Sequence, residues 1–190
     1  MNIKGFGTAK MTAVAKQAKD YICSSIQLAY ERALNAVNIK MEIESKHPLV
    51  LLAEDVKEIV IRDESLFAPI MSRWNHQALA ISASLVHDMY RKELKPFLDK
   101  ISDLDKMLDL TDEVESVLSE ADNLEEYLKS LVSSVGGEGT IFQQHMVPYQ
   151  LEVVAGNLVM QWIESKLKQV TGCVQQSILD EDWTPISAKL

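Results

Sequence analysis

The chain has 190 residues, a formal charge of −9 and a pI of about 4.9, with 47% hydrophobic and 25% charged residues and a mean hydropathy of −0.04. That length suits one substantial domain with a buried core, and the composition is that of a soluble globular protein rather than a disordered one. The acidic balance disfavours generic phosphate binding, so no nucleic-acid partner is expected.

The opening residues MNIKGFGTAK lack the apolar core of a secretory signal. No stretch supplies the roughly 18 uninterrupted apolar residues of a spanning helix, so a cytoplasmic location is expected. Residues 1–7 read as a flexible lead, 8–187 as a single helical region, and 188–190 as a tail.

The first helix is expected over 8 to about 44, with Thr8 or Thr12 as its cap. Ala18, Ile22, Ile26, Ala29, Ala33, Val37 and Met41 recur every three or four positions, which places them on one face. His47-Pro48 ends this element or begins the next, because the residue before a proline is pushed out of the helical region. A second helix follows to about Ser65, its stripe made of Leu52, Val56, Ile59 and Val60, with Glu54, Lys57 and Glu58 on wetter sides.

Pro69 marks the next boundary. Beyond it Ile70, Trp74, Ala78, Ile81, Leu85 and Met89 repeat at helical spacing, followed by Tyr90, Leu94, Phe97, Ile101, Leu104 and Leu108. Pro96 interrupts the pattern, so a kink or two consecutive helices are expected there. Trp74 and Trp162 lie in apolar stripes and are expected to pack in the core or between helices.

Thr111 is a candidate cap for a helix whose Val114, Val117, Ala121, Leu124, Leu128, Leu131 and Val135 follow spacings of three and four, a seam that requires a partner helix. Gly136-Gly137-Glu138-Gly139 closes it as a turn. No Gly-Lys-Ser/Thr follows, so a phosphate loop is a poor reading. A last helix begins near Pro148, with Val159, Ile163, Leu167, Val170, Val174 and Ile178 on one face. The connections fall near 45–49, 65–69, 109–112 and 136–147. The expected fold is all-α, an elongated bundle of about five long helices with antiparallel neighbours.

Chemistry-bearing residues do not gather into a motif. Cys23 and Cys173 lie 150 residues apart, forming neither a redox pair nor half of a zinc cluster. Asp103, Asp105 and Asp109 lack the glycine and terminal glutamate of a calcium loop, and no metal or cofactor is expected. His87, with Tyr90 and distant acids, is the one nucleus around which an active site would assemble, but no nucleophile accompanies it and no catalytic residue is assigned.

Charge is placed unevenly. Asp99 to Glu126 holds eleven acidic residues and two basic ones, a balance equal to the whole formal charge. This stretch suits a solvated helical face or contact with a basic partner. Candidate protein-binding residues are Asp112, Glu113, Glu120 and Glu126, with Trp183 as either a lid over the core or an exposed anchor.

Three phrases carry a family resemblance: LLAEDVKEIVIRDESLFAPIMSRWNHQA at 51–78, LVHDMYRKELKPFL at 85–98, and LVMQWIESKLKQV with EDWTPIS at 158–170 and 181–187. As an ordered set they resemble the MUN-domain region of plant Unc-13-like proteins, and the resemblance runs over most of residues 20–187. It implies a tethering-subunit-like helical scaffold, a fragment or short relative of a larger architecture, without the family's calcium-binding strand domain. It further implies a non-enzymatic role in vesicle tethering and exocytic delivery to the plasma membrane, where the plant family's cargo includes the proton-pumping ATPase. SNAREs or tethering-complex subunits would be the protein partners, with peripheral association at endosomal vesicles or the plasma membrane. A structural or regulatory protomer for a basic partner is the alternative, and an enzyme built around His87 a further one.

Overall fold

The computed structural model describes residues 4–102, 112–136 and 146–181, with side chains described from Ala13 onward. All regular structure among them is helical: α1 (Lys4–Glu44), α2 (Pro48–Arg62), a π-helical segment (Asp63–Phe67), α3 (Ala68–Met71), α4 (Ala78–Ser102), α5 (Asp112–Gly136) and α6 (Leu151–Asp180). Five of these are long helices, and at 1.5 Å per residue the 41-residue α1 spans about 60 Å, so the bundle is elongated.

Helix boundaries follow local chemistry. α1 begins at Lys4, ahead of Thr8 and Thr12, which lie inside it rather than at its cap; Gly5 and Gly7 lower helix propensity without forbidding it. It ends where Ser45 turns left-handed at φ 51°, the usual way a helix reverses out of its last turn. Two residues later His47 caps α2, its Nδ1 accepting the Leu49 N–H at 3.2 Å, and Pro48 occupies the first helical position, where a missing N–H costs nothing.

The connection expected at 65–69 is helical. The backbone passes through a π turn, in which the Ala68 N–H reaches back to the Asp63 carbonyl, and Pro69 is absorbed in the first turn of α3. The break comes at 72–77, where Asn75 Oδ1 accepts the Gln77 N–H and turns the chain into α4. Ile70 and Trp74 are therefore cut off from the α4 stripe and exposed, Trp74 by 51%, which corrects its expected place in the core. α4 runs unbroken through Pro96. Pro96 and Lys92, whose carbonyl loses its donor, are both exposed, so the freed group is on the solvent side of the helix.

α1, α2, α4 and α5 form the bundle. α1 packs on α2 and α4, and α5 packs on the same two from the other side, leaving α2 and α4 in touch across the middle. Sequence neighbours run antiparallel. The α2–α5 pair runs parallel: His47 just before α2 and Glu64 just after it meet Glu113 and Tyr127 of α5 in the same order.

The core carries most of the expected stripes, although Met41, at the end of the α1 face, is exposed. Ile22, Ile26, Ala33 and Val37 of α1 are buried, as are Leu52, Val56 and Val60 of α2 and the α5 seam from Val114 to Leu131. Tyr30, absent from the expected face, is buried as well. Tyr90 ties α4 to α2 by donating its hydroxyl to the Leu49 carbonyl at 3.0 Å, so its phenol is pushed upward by burial.

α6 departs from expectation. Gln150, left-handed at φ 61°, starts it, and only Leu151 and Leu158 are buried. The apolar face from Val159 to Ile178 is exposed, and Trp162 with it. Thr111, Leu104, Leu108, Asp103, Asp105, Asp109, His145 and the Gly137–Gly139 turn lie outside the described residues.

Candidate functional site

The acidic candidates sit on α5 in two sets. With about 100° per residue, Glu113 and Glu120 fall on one flank of the buried seam, while Asp112 and Glu126 fall farther round toward solvent. Asp112, Glu113 and Glu126 are exposed and Glu120 is half-buried. Asp112 and Glu113 occupy the first turn, where the helix dipole favours negative charge. His47 Nε2 stands 3.8 Å from Glu113, but burial lowers the imidazole's pKa more than Glu113 raises it, which weakens this contact as an ion pair. Trp183 lies outside the described residues.

The acid that the structure does engage is Glu125, which sequence reasoning missed. It is buried against α4 and the 146–150 segment: its Oε1 accepts the Tyr149 N–H at 3.2 Å and pairs with Lys129 Nζ at 2.9 Å. His87 Nε2 lies 3.5 Å away, long for a hydrogen bond. Burial pushes the Glu125 carboxyl up; His87, Lys129 and the Tyr149 N–H together pull it further down, to a net value below the ordinary range. The signal was the Lys129 four residues on, which lets a seam-flanking glutamate be buried with its counter-charge.

His87 is fully buried, stacked on Tyr149 with ring centroids 4.4 Å apart at 15°, and Tyr149 donates its hydroxyl to the His87 carbonyl at 3.3 Å. Tyr90 is equally enclosed. The groups around which an active site would assemble do converge, as a packed polar knot that holds the start of α6 to α4 and α5 with the imidazole fully buried. Among the described residues no group of three or more His, Cys, Asp or Glu is placed to hold a metal ion, and no helix is long and apolar enough to cross a membrane. Cys23 is half-buried against the core, and Cys173 is an exposed free thiol on α6.

Two exposed apolar surfaces complete the picture. At one end of the bundle the π turn, α3 and the break after it present Leu66, Phe67, Ile70 and Trp74. The same turn buries Asp63, whose Oδ2 lacks a partner; burial raises its pKa, and the Ser82 hydroxyl offsets part of that rise. At the other end α6 projects with its stripe uncovered. Buried knots inside and broad apolar and acidic faces outside are the features of a helical protein-interaction module.

The chain is 38% identical over 174 residues, 90% of its length, to a protein from Arabidopsis thaliana named Protein unc-13 homolog. The match covers 15% of that relative, so the chain spans a small part of its length. No family model matches the chain and no solved structure matches it.

Proposed function

We propose that the chain is a MUN-like interaction module in vesicle tethering or exocytic delivery to the plasma membrane, working at the cytoplasmic face and reaching membranes through protein partners, SNAREs or tethering-complex subunits. The observation that carries this reading is the 38% identity to Protein unc-13 homolog over 90% of the chain, beside a bundle in which α1, α2, α4 and α5 share one packed core. A rod of this kind holds partner surfaces at fixed separations. The α5 face of Asp112, Glu113, Glu120 and Glu126 would supply electrostatic attraction for a basic partner segment, which strengthens encounter and weakens with salt.

The test is affinity purification from plant membrane extracts with the 190-residue chain and with D112N/E113Q/E120Q/E126Q, both checked for equal helical content. The parent is expected to recover SNAREs or tethering subunits, and the variant to recover several-fold less. Repeated recovery of neither class by well-folded parent protein overturns the trafficking role. Equal recovery by both overturns only the acidic contact.

A further inference from the structure

One inward row of α2 keeps a strict count. Leu49, Ala53, Val56, Val60 and Asp63 are all buried, and the steps between them are four, three, four and three, the spacing that holds one face of an α-helix against a neighbour. Continued at four, three and four, the same count falls on Phe67, Ile70 and Trp74. These three are apolar, yet they stand outside: Phe67 is 55% exposed, Ile70 50% and Trp74 51%. Ala68 is buried where Phe67 was due, and Met71 and Asn75 are half-buried where Ile70 and Trp74 were due.

Each replacement is a shift of one residue, and the shift enters at the π turn. The Ala68 N–H bonds to the Asp63 carbonyl, five residues back instead of four, so the step from Asp63 to the next inward position is also five. The ordinary ladder then resumes, with the Ser72 N–H reaching the Ala68 carbonyl at 2.8 Å and the Asn75 N–H the Met71 carbonyl at 2.9 Å, and it carries the offset to the end of the run. At about 100° per residue, this one offset turns the whole row from the interior to the surface. Hydrophobic burial favours the opposite choice, with Phe67, Ile70 and Trp74 inside and Asn75 in water. Asp63, the pivot common to both counts, is buried with its Oδ2 unpartnered, a second cost at the same turn.

Pro69 opposes both. In an unbroken α-helix its ring would meet the Ser65 carbonyl four residues before it, and the π turn opens the ladder at that point. We propose that residues 63–74 are a register switch: Pro69 holds a π register in which the row faces out, against an α register of the same chain in which Phe67, Ile70 and Trp74 turn inward in place of Ala68, Met71 and Asn75. The surface that receives them is the chain's own α4, which both the π turn and α3 already touch. The switch decides whether the apolar row at this end of the bundle is offered or covered, and it is independent of the trafficking role.

Trp74 reports the register when it is the one tryptophan of the chain, in a W162F/W183F background. P69A in that background is expected to keep the helical spectrum while acrylamide quenching of Trp74 falls to about half or less and its emission moves to the blue. Deleting Ser65 from P69A removes the extra residue, so Ala68 follows Asp63 at four and a plain α-helix keeps the present faces; quenching is expected to return to the parent value. Melting gives a second readout: F67A is expected to leave the Tm of the parent within about 2 °C and to lower that of P69A by at least about 6 °C. Trp74 as exposed in folded P69A as in the parent overturns the proposal, and so does quenching that stays low after Ser65 is deleted. An equal effect of F67A in the two backgrounds overturns it as well. A P69A chain that loses its helical spectrum has the same meaning, because the bundle would then accept no α register.

Discussion

Glu125 shows how one residue joins three elements. Its carboxylate holds Lys129 on its own helix, the Tyr149 backbone ahead of α6, and the neighbourhood of His87 on α4. Glu125→Gln keeps the shape but removes the charge, and a hydrogen bond to a charged group is worth more than one to a neutral amide. The expected loss is about 2 kcal/mol at pH 7, a fall in Tm of about 4 to 8 °C. Because the native carboxyl lies below its ordinary value of 4.5, the unfolded chain takes up its proton first as pH falls. The stabilisation is therefore fully present above about 4.5 and disappears as pH drops toward the native pKa. Thermal melts of parent and variant should converge below that pH, and a gap that stays constant from pH 7 to pH 3.5 would refute this account. The knot itself was not legible in the sequence: His87 and Glu125 are 38 positions apart, and their meeting depends on how α4 and α5 face each other.

At the scale of elements, α5 and α6 carry the same sequence signal and have opposite fates. Both repeat apolar residues at three and four, and each pattern sets those residues on one face. The α5 seam finds α4 and α2, so Leu128 is fully buried; the α6 seam finds nothing in the described chain, so Leu167 stands in solvent. Periodicity identifies which residues share a face, whereas burial depends on a second surface that the local pattern does not encode. Leu128→Ala should therefore cost about 3 kcal/mol through lost transfer energy and the cavity left behind. Leu167→Ala should change the stability of the dilute chain by no more than about 0.5 kcal/mol. Urea titrations at low protein concentration distinguish the two, and equal costs would mean that α6 folds back on the bundle in solution. The same limit explains Pro69. A proline near a helix start was legible, but the π turn before it was not, since an extra residue in the ladder shows in hydrogen-bond register rather than in composition.

For the whole molecule, unequal packing implies unequal stability. The bundle of α1, α2, α4 and α5 shares one continuous core, so its central amides open only when the domain unfolds. The arm beyond Leu158 has helical hydrogen bonds without tertiary cover, and it contains Gly172 and β-branched Val170, Thr171 and Val174, all poor helix formers compared with alanine. An uncovered helix of about twenty residues is marginal in water, because nucleation is costly and only packing offsets it. Native-state hydrogen exchange on dilute protein should thus find the amides of residues 162–180 exchanging at least about a hundredfold faster than those of Val86 to Leu94 in α4. Arm amides as slow as those of α4 under dilute conditions would show that the arm is covered within a single chain. That outcome would contradict the exposed face on which its reading as an interaction surface rests, because a stripe that opens only with the global core has its partner already.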